Sequence, residues 1–168
     1  MEGMAPFIFG DIKGYFNSAS DFKTEKDLCD YIETNIKLFC SDIGVNYKGH
    51  ERESHITKFK RFGNNKPKID FLVEDHEGEY TLIEVKKPRY LREAIVGISQ
   101  MLEYIVIAEK EGLKLKKSFI LTTKCDCEFI EVIERFNLPI DLILFSKEKL
   151  AVWDKGKGVG FNAEQAHG

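Results

Sequence analysis

Asp70, Glu84 and Lys86 stand in a stretch that is otherwise strongly apolar, "IDFLVEDHEGEYTLIEVKKP" (residues 69–88). Side chains alternate across a strand, so Glu84 and Lys86 share one face while Ile83 and Val85 take the other. The polar "DHEGE" between the two apolar halves reads as a hairpin turn near Glu77, which sets Asp70 opposite Glu84 to within a residue. Two carboxylates facing each other across a ladder repel unless something positive stands between them. Lys86 is one such group. A divalent cation such as Mg²⁺, which takes carboxylate oxygens together with water and phosphate oxygens, is the sharper proposal. The chemistry would then be phosphodiester hydrolysis. Asp70 and Glu84 would hold the ion, and Lys86 would orient water or stabilise transition-state charge. A buried Glu84–Lys86 ion pair explains those two residues and leaves Asp70 aside.

The elements that must position these residues follow from periodicity. A helix is predicted from Thr24, in "TEKDLCDYIETNIKLFCSDIG", with Thr24 as cap, Asp27 three residues on and Gly44 at the end. Leu28, Ile32, Ile36, Phe39 and Ile43 recur on one face, and Glu25 begins that buried stripe. Residues 45–68 are polar and read as an edge strand followed by a loop. Strands are expected near 68–74 and 80–86, the second ended by Pro88. A long helix follows from Leu91 to Glu111, then the strand "SFILTT", the helix "CEFIEVIERF", the buried strand "IDLILFS" and a last edge strand "KLAVW". The order α-β-β-β-α-β-α-β predicts a mixed α/β domain with helices on both faces of a central sheet.

On the long helix, Gln100 and Tyr104 share a face at i,i+4. That helix is apolar nearly all round, so Gln100 is expected to be enclosed, and an enclosed amide needs partners. The bland role for Gln100 is a hydrogen bond to a neighbouring loop.

Ile69-Asp70, thirteen intervening residues, then Glu84-Val85-Lys86 resembles the PD-(D/E)xK nuclease superfamily, with Ile69 where the superfamily usually has proline. Gln100-x-x-x-Tyr104 after E-x-K looks like the motif of RecB-like nucleases and of type I restriction motor subunits. Shedu-type defence nucleases carry similar residues, with a counterpart to the Lys-Pro of "EVKKP". The resemblance spans roughly Thr24 to Trp153. It implies a three-layer restriction-endonuclease-like α/β fold with an αβββαβ core and a mixed sheet flanked by helices. It further implies a Mg²⁺-dependent nuclease, with Mn²⁺ able to substitute, acting most readily on DNA in repair, recombination or defence. Asp70, Glu84, Lys86, Gln100 and Glu25 would be the catalytic set. Asp70, Glu84 and the Val85 backbone carbonyl would be the ligands, with Glu25 as a further candidate. Gln100 would order the site or contact the substrate backbone, with Tyr104 beside it. Two other readings stay open at this stage: a silent module of the same fold that binds nucleic acid or nucleotide, and a structural protein in which Glu84–Lys86 is a buried pair.

The net charge of −3 argues against a general polyanion binder. A local strip can still steer a nucleic acid, and Lys58, Lys60, Arg61, Lys87, Arg89 and Arg92 flank the acidic cluster. RNA is left open as substrate, as is a homodimer. Four histidines fall on predicted loops without ligand spacing, and a solvated role is expected for them. Four cysteines without a second C-x-x-C or H-x-H read as thiols of a reducing, cytoplasmic compartment. No apolar stretch approaches the ~20 residues of a membrane span. The expected organisation is an irregular segment 1–23, a nuclease-like domain 24–153 and a Gly-rich, flexible tail 154–168.

Overall fold

The structure, a computed structural model, describes residues 5–6, 15–56, 67–154 and 160–162. The elements in chain order are β1 (Ala5–Pro6), β2 (Tyr15–Asn17), a 3₁₀ turn (Ala19–Asp21), α1 (Glu25–Thr34), α2 (Ile36–Asp42), β3 (Tyr47–Ser54), β4 (Ile69–Asp75) and β5 (Tyr80–Lys86). They continue with α3 (Leu91–Lys110), β6 (Leu115–Thr122), β7 (Lys124–Asp126), α4 (Cys127–Arg135), β8 (Asp141–Phe145), β9 (Lys149–Trp153) and β10 (Gly160–Asn162). The main sheet runs β1-β9-β8-β6-β5-β4-β3, with β10 also against β9, and β2 pairs with β7 apart from it. Strands β3, β4 and β5 are antiparallel, while β5–β6 and β6–β8 are parallel and are bridged by α3 and α4. This is the expected three-layer mixed α/β fold, and α1–β3–β4–β5–α3–β6 supplies its αβββαβ core.

Alternation along the strands builds both layers. Phe71, Val73, Ile83, Val85, Phe119, Leu121 and Ile143 pack on one face with Leu28, Ile32 and Phe39 of α1 and α2. Leu72, Leu82, Ile120 and Leu142 pack on the other with Ala94, Met101, Ala108, Phe129 and Ile133 of α3 and α4. By the same alternation Glu84 and Lys86 follow Leu82 onto the α3 side.

The β4–β5 turn is held by Asp75, buried at 1% exposure, whose Oδ1 accepts the backbone N–H of Glu77 and Glu79 at 2.9 Å each. Burial alone would raise this carboxyl, but those donors and nearby Lys116 hold it below its ordinary range. Gly78 takes φ +77° and closes the turn. The resulting register pairs Phe71 with Ile83 and Leu72 with Leu82, as the sequence predicts.

Three expectations change. The long first helix is two, α1 and α2, broken at Asn35 (φ −112°, ψ 25°). Thr34 Oγ1 and Asn35 Nδ2 donate to the carbonyls of Asp30 and Tyr31, so side chains compete there for helix acceptors. Second, "KLAVW" is not an edge, because β1 and β10 lie on its far side. Third, within the segment expected to be irregular, Tyr15–Asn17 pairs with β7. Thr24 does cap α1, in a capping box with Asp27, and Gly44 ends the helical pair at φ +77°. Among the described residues, no helix is long and apolar enough to cross a membrane.

Candidate active site

The β4–β5 ladder ends at Phe71/Ile83, and one residue further the Asp70 carboxylate takes over. Its Oδ2 accepts the Val85 N–H at 2.7 Å, fixing Asp70 beside Glu84 at the end of the hairpin. On the β6 side the Lys86 carbonyl accepts the Thr123 N–H at 3.3 Å. Val85, one residue back, therefore turns both its N–H and its carbonyl toward the β4 edge, where Asp70 lies.

Glu84 is 4% exposed, and its Oε1 is 3.5 Å from Lys86 Nζ. Its other oxygen, Oε2, is buried with no hydrogen-bond partner among the described residues. Burial, and next the charge of Asp70, push the Glu84 carboxyl up to about 8, against the opposing pull of Lys86. Burial also raises Asp70, to about 6, with Glu25 adding to the rise and the Val85 N–H and Lys86 holding it back. For both carboxylates, burial thus outweighs the stabilisation that the Val85 N–H and Lys86 give the anion.

That condition fits a hard divalent cation. The orphaned Glu84 Oε2, the Asp70 carboxylate and the Val85 carbonyl are oxygen donors of the kind Mg²⁺ and Mn²⁺ take. Among the described residues no group of three or more His, Cys, Asp and Glu is arranged to hold a metal. A ligand set here would therefore be two carboxylates completed by backbone carbonyl and water, as is common for Mg²⁺.

Gln100 is half-buried on α3, and its Oε1 is likewise buried without a partner. Among the described residues, no loop hydrogen bond to this oxygen is present. Tyr104 is 5% exposed, and its hydroxyl donates to the Lys68 carbonyl at 2.7 Å. It therefore anchors the start of the strand that carries Asp70 and does not face a substrate. Tyr104→Phe should leave that carbonyl unpaired and cost about 1–3 kcal/mol in urea denaturation.

Glu25 is exposed, contrary to its expected place in the buried stripe, and is the first residue of α1. Its Oε2 accepts the Lys87 N–H at 3.2 Å, immediately after E-V-K, and it lines a cleft with Asp70. That cleft, of about 510 Å³, is also lined by Lys26, Cys29, Asp30, Arg52 and Glu53. Arg52 is held at 3.2 Å by Glu33 and by a closer bond to Asp30 at 2.5 Å. Its neighbour Glu53, across from Asp70 in the β3–β4 register, has φ 51°, a strained conformation for a non-glycine residue.

Of the basic strip, Lys87 is half-buried while Arg89 and Arg92 are exposed at the start of α3. Lys58, Lys60 and Arg61 lie outside the described residues, as does His167. His50 is not simply solvated: its ring bridges Tyr47 Oη at 2.7 Å and Glu33 Oε2 at 2.8 Å. Sequence reasoning missed this chain and Arg52, since both rest on pairing between α1 and β3, which no local pattern encodes.

No family model matches the chain, and no curated protein matches it. Some solved structures bear a distant likeness. One is the crystal structure of a repair endonuclease from Pyrococcus abyssi, at 16% identity and a TM-score of 0.49, over 74% of this chain and 48% of that one. Another is the structure of an EndoMS–dsDNA2 complex, at 18% identity and a TM-score of 0.45, over 74% of this chain and 46% of that one. The chain thus spans about half the length of each.

Proposed function

We propose that the protein is a metal-dependent nuclease that hydrolyses phosphodiester bonds, with DNA as its substrate. The observation that carries this reading is the pairing of half-buried Asp70 with buried Glu84. Two carboxyls with raised proton affinity share the end of one hairpin, one oxygen has no partner among the described residues, and a lysine stands 3.5 Å away. A protein that needed Glu84 and Lys86 merely as an ion pair would gain nothing from Asp70 beside them.

Asp70, Glu84 and the Val85 carbonyl would hold Mg²⁺ or Mn²⁺, with Glu25 at the mouth of the cleft. When bound, the ion would polarise the scissile phosphate and lower the pKa of water. Lys86 brings a fixed positive charge toward the position where negative charge develops in the transition state. The Val85 N–H and the Tyr104–Lys68 bond hold Asp70 in place before substrate arrives. The Gln100 amide, with an unused acceptor, is suited to a substrate or water donor. Lys87, Arg89 and Arg92 would meet the phosphate backbone beyond the site. The choice of DNA rests on the motif resemblance. The free, buried thiols of Cys29, Cys40 and Cys125 suit a reducing compartment such as the cytoplasm.

The test is a panel of end-labelled linear, circular, single-stranded and branched DNA, plus an RNA of the same sequence, with Mg²⁺, Mn²⁺ or EDTA. Metal-dependent cleavage of at least one DNA substrate is expected. Binding without cleavage under every metal would instead identify a silent nucleic-acid module.

A further inference from the structure

The stem of Lys86 lies against α3 where that helix has no side chain. A Cβ built on Gly97 would stand 3.2 Å from Lys86 Cγ, 3.4 Å from Lys86 Cε and 3.7 Å from Ile120 Cδ1. Moving only the ammonium end leaves the Cγ contact in place, so relief requires the Lys86 stem or the helix to shift by a few tenths of an ångström. Gly97 occupies no turn. It is buried within the twenty-residue helix Leu91–Lys110, where glycine is a poor helix former. The helix thus carries a weak residue at the point where the lysine passes.

We propose that Gly97 is a positioning residue: its missing side chain forms the slot that lays the Lys86 stem along α3 and sets the ammonium 3.5 Å from Glu84. Ile120 of β6 borders the same slot. Gln100 follows Gly97 by three residues and so continues the same helix face toward Tyr104. The catalytic meaning of the slot rests on the nuclease reading, whereas the slot itself does not.

The deciding variant is Gly97→Ala. Alanine is the better helix former, so a purely structural role predicts an equal or more stable protein with intact cleavage. The slot predicts a folded protein whose KM and DNA affinity, measured with Ca²⁺ in place of Mg²⁺, stay within about twofold while kcat falls roughly 10- to 100-fold. In metal-free protein the NMR signal of the Lys86 ε-methylene, assigned by comparison with Lys86→Arg, should move. Wild-type kcat with an unmoved Lys86 signal would overturn the proposal. If wild-type protein cleaves nothing, the nuclease reading fails, and the Lys86 signal still decides the slot. Should Gly97→Ala not fold, the wild type itself decides: a nuclear Overhauser contact between Gly97 Hα and the Lys86 γ- or ε-protons is required, and its absence sinks the slot.

Discussion

Asp70→Asn is expected to yield a protein more stable than the wild type and unable to cleave DNA. Asparagine keeps an oxygen for the Val85 N–H and removes one of two facing negative charges. Both carboxyls are raised by burial, and Glu84 is raised further by Asp70, so the fold carries an electrostatic cost at neutral pH and above. Relief of that cost should stabilise the metal-free protein by roughly 1–3 kcal/mol at pH 8, taking about 1.4 kcal/mol per pKa unit. Cleavage should fall by at least roughly 10²-fold, the loss that removing even an outer partner of a metal ligand can cause. Glu84→Gln should lose cleavage to the same degree. An ion-pair reading makes the opposite forecast for that variant: Lys86 would be left uncompensated, at a cost of about 3–5 kcal/mol. Chemical denaturation of each variant beside the wild type, with a cleavage assay on the same preparations, separates the two accounts. Stability gained as activity is lost is the pattern of a site assembled for function at the expense of the fold.

The second large effect is a dependence of metal-free stability on pH. Burial raises Asp70 to about 6, and burial with the charge of Asp70 raises Glu84 to about 8, above ordinary values of 3.8 and 4.5. Between about pH 4 and pH 8 the folded state therefore holds protons that the unfolded state has released. For carboxyls raised in this way the stabilising contribution is complete below the unfolded pKa and is lost as pH climbs through the folded values. Denaturation midpoints in EDTA should accordingly decline from pH 5 to pH 8, by on the order of a few kcal/mol across the window. The double variant Asp70→Asn, Glu84→Gln should flatten the profile. Mg²⁺ or Mn²⁺ must displace protons from this pair to bind, so either ion should raise the midpoint more at pH 8 than at pH 6. A profile that is flat in the wild type would show that the pair is solvated rather than enclosed.

The hairpin was legible in the sequence because its turn chemistry is local. Asp75, Gly78 and the alternating apolar residues determine which residues face each other, and Phe71/Ile83 follows from them. The partnership of Asp70 with Glu84 is a corollary of that register. Other features depended on depth, which periodicity does not measure. Tyr104 shares a helix face with Gln100, yet that face dips into the sheet, and the tyrosine spends its hydroxyl on Lys68. Glu25 has the phase of a buried residue but stands at the first position of α1, a turn before the first buried residue, Leu28. The break at Asn35 was hidden because apolar spacing continues through it to Ile36 and Phe39, while side-chain hydrogen bonds decide the backbone. The slot at Gly97 was invisible for a related reason, since a glycine in an apolar helix has no phase of its own and acquires meaning from Lys86.

The most direct test of the Asp70–Glu84–Lys86 site is cleavage of a circular DNA by wild-type protein and by Lys86→Ala, which keeps both carboxylates. The assay is run in Mn²⁺ and in EDTA. The expected result is nicked or linear product with wild type in Mn²⁺, none in EDTA, and a loss of at least roughly 10²-fold in Lys86→Ala with DNA binding retained. Cleavage by Lys86→Ala at the wild-type rate, or wild-type cleavage that persists in EDTA, would contradict the assignment.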